Sequence, residues 1–256
     1  MVLNAFSYLP LDTFSMLVAG TVGLMIGSYL NVAIYRIPAG ISTVFPGSRC
    51  PRCLTAIGPL ENIPVLSYLA LRARCRACGG GISWRYPAIE AFTSFLFLSS
   101  YHLFPDSLPQ MLVGFVVVSV FVVLGMIDWD HKQVPLTVVV PALVLSLGFQ
   151  PFQISLLDSW LGAVGSVSAL FVVSKLWQRI HGVEGFAAGD LWVVGWIGAL
   201  WGWAGAVEIF VLAAFLGVFT TLWWALIRRK DADSLPFVTL LAASALLLRF
   251  VGPAWS

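Results

Sequence analysis

Charge is scarce in this chain. Asp, Glu, Lys and Arg make up 10% of its 256 residues, where a soluble domain carries about 25%. With a mean hydropathy of +0.93, an ordinary water-soluble fold is excluded. Met1–Ser15 lacks the basic stretch that opens a cleaved secretory signal, and the first apolar run continues long enough to span a bilayer. Internal repeats and low-complexity tracts are missing. So is the glycine-rich strand–helix fingerprint of a nucleotide-like ligand. The net charge is only +2, and no nucleic-acid partner is expected. There are three histidines. His102 falls on the outer side, and His131 and His181 flank acidic residues without a paired serine motif, which disfavours Ser/His chemistry.

What is present is apolar sequence in long runs. They predict an all-α polytopic membrane protein with about eight transmembrane helices, near 14–35, 87–104, 109–127, 136–151, 156–178, 190–204, 206–227 and 235–252. The basic residues sort by side. Arg36, Arg49, Arg52, Arg72, Arg74, Arg76 and Arg85 lie between spans one and two. Lys132, Lys175, Arg179, Arg228, Arg229 and Lys230 follow spans three, five and seven, and Arg249 alone falls opposite. The positive-inside rule then puts both termini outside, in the periplasm, and the long first loop in the cytoplasm. Three parts are expected: an N-terminal span (1–35), a cytoplasmic loop domain (36–86) and a transmembrane core (87–256).

All four cysteines fall in that loop. Cys50-Pro-Arg-Cys53 and Cys75-Arg-Ala-Cys78 are two C-x2-C pairs separated by 21 residues. Two such knuckles supply four thiolates for a tetrahedral zinc ion, which would fill the coordination sphere and so be structural. A 51-residue loop buries little core, and a metal would be its main staple. Disulfides are disfavoured on the cytoplasmic side; four metal-free thiols are the other alternative.

The few acids cluster at two places. Ile127-Asp128-Trp129-Asp130-His131 ends one apolar run, and Glu184-Gly185-Phe186-Ala187-Ala188-Gly189-Asp190 opens another, on the same predicted face. Asp128 and Asp190 are 62 residues apart, and two intervening spans return the chain to that face. Two close carboxylates in a partly desolvated site share a proton near neutral pH and can activate water. Other readings stay open on these residues. Asp190 could serve only as a helix N-cap, Asp130 could be a solvated partner of Lys132, and Glu184 could sit beside Arg179. Intramembrane acids would also serve a proton-coupled transporter.

The motifs resemble those of the type IV prepilin peptidases, bifunctional leader peptidase/N-methyltransferases of the intramembrane aspartyl protease class. The resemblance covers nearly the whole chain, in the family's order. It rests on Gly27-Ser-Tyr-Leu-Asn-Val-Ala-Ile-Tyr-Arg-Ile-Pro38, the cysteine-bearing loop through Glu61-Asn-Ile-Pro-Val-Leu-Ser-Tyr68, Ile82-Ser-Trp-Arg-Tyr-Pro87 with Glu90, and the two aspartate motifs. Two departures are visible: Ala187 where another glycine is common, and Leu136 after Pro135 where the family often has aspartate. Ala187 is the only support for a third reading, an inactive assembly factor.

The resemblance implies Asp128 and Asp190 as the catalytic pair. It implies prepilin or pseudopilin substrates, cut on the cytoplasmic side of the bacterial inner membrane, and methylation of the new terminus with S-adenosylmethionine. The bilayer is the other expected partner. Glu61, Asn62, Arg85 and Glu90 are polar candidates for contact with the methyl donor, although each could equally brace the zinc domain. Asn31 and Arg36 are expected to be structural hydrogen-bonders.

Overall fold

The computed structural model describes residues 11–149, 152, 154–183, 185–228 and 236–251. Glu184, Arg229 and Lys230 lie outside the described residues. The chain is helical, with helices at Leu11–Arg36 (α1), Leu66–Ala70 (α2), Arg85–Leu103 (α3), Leu108–His131 (α4), Leu136–Phe149 (α5), Leu156–His181 (α6), Ala188–Arg228 (α7) and Phe237–Leu246 (α8). A helix satisfies its own backbone, which is why apolar runs in lipid take this form. Four stretches are long and apolar enough to cross a membrane: Thr13–Arg36, Leu108–His131, Leu156–His181 and Ala188–Trp223. Leu136–Phe149 and Phe237–Val251 are shorter apolar helices. Within α7 the helix breaks at Gly202, whose φ of 69° and ψ of −174° are not helical. The sequence reading of a turn at 202–205 therefore corresponds to a one-residue break.

The chain divides into two units, residues 1–119 and 120–256. In the first, α1 packs along α3. Ser94 Oγ donates to Gly20 O at 2.8 Å, and the Asn31 side-chain amide donates to Gly27 O and Tyr86 O, both at 3.2 Å. Arg36 donates to Ser42 O and Gly47 O, pinning the loop to the end of α1. Asn31 and Arg36 are thus engaged with backbone, as expected.

The second unit is built around α7, which packs on α5, α6 and α8. Phe121, Leu124, Ile127, Trp196, Ile197, Leu200 and Leu241 are fully buried there. The Phe121 and Trp196 rings lie 4.4 Å apart, and Trp196 Nε1 donates to Ser146 Oγ at 3.0 Å, so the indole is both packed and satisfied. The α6–α7 seam is closest at Gly162 and Gly198, where a methyl on either would run into the other's backbone. Hydrocarbon gives packed helices no hydrophobic advantage over lipid, so contact of this kind supplies the association. Gly198→Val is expected to destabilise the protein by about 2 kcal/mol through overpacking. Thermal unfolding in detergent should show it, with Val218→Ala on the exposed face as an unaffected control.

Candidate active site

Asp128 lies in the last turn of α4, and Asp190 is the third residue of α7. Sequence reading ended the first of these spans at 127, just short of Asp128, and opened the other at Asp190; α4 runs on to His131 and α7 begins at Ala188. Both are buried, at 5% and 8% exposure. Asp130, two residues beyond Asp128 and hence on another helix face, is exposed. His131 and His181 are exposed as well, and His181 stacks on Trp177 with ring centroids 3.9 Å apart.

Three helix ends converge here. Asp190 Oδ2 accepts from the backbone N–H of Ala187 at 2.9 Å. The side chain therefore reaches back over the first turn as one half of a capping box, and Asp190 is not itself the N-cap. Ala187 does not take positive φ, so its methyl brings no backbone strain to the motif. A Cβ on Gly189 would meet Val134 Cβ at 2.8 Å. The start of α7 thus presses on the segment that follows Asp128, at a distance open only to glycine. Phe186 meets Phe237, the first residue of α8, edge to face at 4.8 Å. Asp128 Oδ2 accepts from Thr239 N at 2.8 Å and Thr239 Oγ1 at 3.0 Å. Both carboxylates thus belong to one junction of helix ends, closed by the Gly189–Val134 approach and the Phe186–Phe237 pair. A water between two such groups can lose a proton to one while the other donates to a carbonyl. Both acids sit at helix ends, whereas a proton pathway through the bilayer needs them near its middle.

Comparison with known proteins follows the two units closely. The model of the bacterial peptidase A24 N-terminal domain matches residues 21–104, and that of the type IV leader peptidase family matches residues 115–222. The chain belongs to the type IV leader peptidase family. A Dickeya chrysanthemi relative, named prepilin leader peptidase/N-methyltransferase, is 30% identical over 91% of this chain and 92% of its own length. A Pseudomonas aeruginosa protein of the same name is 32% identical over 86% and 84%. Another, from Myxococcus xanthus, is 39% identical over 76% of this chain, which spans 58% of that relative's length. No solved structure matches the chain.

In this family member the loop of the first unit holds the cysteines as two knuckles of one shape. Cys50 O accepts from Leu54 N and Cys75 O from Gly79 N, both at 2.9 Å, while the Cys50 and Cys75 N–H groups donate to Thr55 O and Gly80 O. Leu54 and Gly79 both take positive φ, 59° and 68°. The four sulfurs lie within 4.8 Å of one another, none in a disulfide. Tetrahedral zinc with bonds of about 2.3 Å needs sulfurs about 3.8 Å apart, and Cys50 Sγ and Cys78 Sγ are 4.0 Å apart. The Thr55 hydroxyl beside Cys53, aided by the Thr55 backbone, lowers that thiol to about 6. Cys78 is drawn down by the Gly80 backbone, but its three neighbouring sulfurs push it up to about 11.

The four polar candidates separate. Glu61 bonds Gly58 N at 3.2 Å and pairs with Arg76 at 3.3 Å. Glu90 is buried and accepts from Val65 N at 2.7 Å, holding a residue of φ 59° at the start of α2. Both brace the loop. Arg85 opens α3, its N–H bonded to Ser83 Oγ. Asn62 alone lines a cavity of about 650 Å3, with Ser28, Tyr29, Arg36 and Thr43.

Sequence reasoning missed Thr239. A helix-start amide and one threonine hydroxyl leave no spacing signal, and the residue falls outside both family matches. For the junction itself the expectation is that Gly189→Ala, by pushing α7 away from Val134, cuts leader cleavage more than tenfold with little change in thermal stability. A peptide-cleavage assay beside a melting curve measures both.

Proposed function

We propose that this chain is a bacterial inner-membrane aspartyl endopeptidase that removes the basic leader from type IV prepilins or pseudopilins. In this reading Asp128 and Asp190 form the catalytic pair at the cytoplasmic face, one as general base on water and the other polarising the scissile carbonyl. The observation that supports it is the burial of two motif aspartates, 62 residues apart, at ends of α4 and α7 whose neighbours Val134 and Gly189 press together. The names of the relatives point the same way. The substrate's apolar helix would lie among the spans while its basic leader stays in the cytoplasm, drawn by the local acidic field.

Counting α7 as two crossings divided at Gly202, this reading has eight crossings, and the distribution of basic residues sets both termini in the periplasm. Residues 36–86 are then the cytoplasmic domain and 87–256 carry the peptidase core. The four thiolates suit a structural zinc ion, leaving no open coordination position. The same chain would methylate the new amino terminus, with S-adenosylmethionine supplying the methyl group. The 650 Å3 cavity with Asn62 on its wall is in the usual range for such a ligand, and its hydroxyl, amide and guanidinium groups offer the hydrogen bonds to orient one.

The deciding experiment incubates purified protein with a prepilin peptide, with and without S-adenosylmethionine, and reads the products by mass spectrometry. Leader loss is expected without the donor, and leader loss plus one methyl with it. Asp128→Asn and Asp190→Asn should each abolish cleavage while still inserting normally; full cleavage by either variant rules out the pair. A second measurement addresses the loop. Cys53→Ser should lose about one zinc per chain by elemental analysis and make 36–86 sensitive to limited proteolysis, since unsupported metal loops unfold.

A further inference from the structure

The proposed catalytic pair leaves one contact unexplained, the grip of α8 on Asp128. The first N–H groups of a helix have no partner within it, and at the start of α8 the N-cap, Pro236, offers no side-chain hydrogen bond. Asp128, from α4, takes that place. Its Oδ2 accepts both the backbone N–H and the hydroxyl of Thr239, at 2.8 and 3.0 Å. That hydroxyl is also 2.7 Å from Gly125 O, one turn earlier on α4. Thr239 thus offers two hydrogens to three contacts: its amide goes to Asp128 Oδ2, and its one hydroxyl proton is shared between that oxygen and Gly125 O.

We propose that Thr239 is a positioning residue of the peptidase centre, holding Asp128 by Oδ2 so that Oδ1 is the oxygen presented to water and substrate. The inference rests on the reading of Asp128 and Asp190 as the catalytic pair. A carboxylate attached through a single bond turns freely unless one oxygen is engaged. The amide, together with the hydroxyl proton that Gly125 O shares, restrains that rotation, and the Gly125 contact ties the hydroxyl to α4. The start of a helix also favours a negative charge beside it. Thr239 is not expected to touch the substrate.

The test uses the full-length protein in detergent or nanodiscs. Thr239→Val keeps shape and backbone N–H but removes the hydroxyl. A hydrogen bond to a charged group is worth enough to predict a fall in kcat of roughly ten- to a hundredfold. KM for the prepilin should be unchanged, and methylation of an already trimmed peptide should be normal. Thr239→Ser should restore kcat to within about threefold. Wild-type kcat in the valine variant overturns the proposal, as does a serine variant as slow as valine. So does a rise in KM in place of the fall in kcat, or a parallel loss of methylation, which marks general unfolding. Asp128→Asn run alongside separates the two ideas. If it is inactive while valine at 239 is harmless, only the positioning role fails; if it cleaves normally, the pair itself fails and the inference with it.

Discussion

A carboxylate buried at the rim of an apolar bundle has to be supplied with donors, because water no longer reaches all of it. The second unit meets this demand with backbone. Ala187 gives its amide to Asp190, and Thr239 gives its amide to Asp128. Each donor belongs to the opening turn of a helix, where free amides are available without breaking a ladder. The need to bring helix starts to the acids explains why α7 and α8 begin where they do. It also explains why Gly189 lies against Val134: a bulkier residue would hold the two motifs apart.

The first unit solves a different problem by similar means. Its loop buries little of its apolar surface, and local backbone bonds and anchors from α1 and α3 hold it. The two cysteine knuckles repeat one pattern of turns, down to a positive φ after the second cysteine of each. Glu90 reaches from α3 to hold Val65, and Arg36 reaches from the end of α1 to the loop carbonyls. The sulfurs are thereby brought within 4.8 Å of one another, the spacing at which one structural metal ion would staple the loop.

Several of these features were legible in the sequence. The spacing of Cys50, Cys53, Cys75 and Cys78 fixed a fourfold cluster because two short knuckles have few ways to fold. The aspartate motifs could be read because acids are so rare here that two at span ends stand out. Boundaries were less legible. Hydropathy ends where polar residues begin, yet α4 continues through Asp128 to His131 because helical bonding does not stop at the first charge. The roles of Glu61 and Glu90 were undecidable from composition, since a carboxylate that braces a loop and one that binds a ligand look alike until their partners are known. Thr239 gave no signal, because one amide and one hydroxyl at a helix start leave no spacing pattern to read.

The link between Asp128 and Thr239 joins residues 111 positions apart. Synthesis runs from the amino end, so the ribosome finishes both aspartate motifs well before the start of α8. A nascent chain halted at that stage would display every recognisable signature yet lack the donors that orient Asp128. Maturation of the centre is thereby deferred until α8 has been made and inserted, and proteolytic competence follows the second motif by some fifty residues of synthesis.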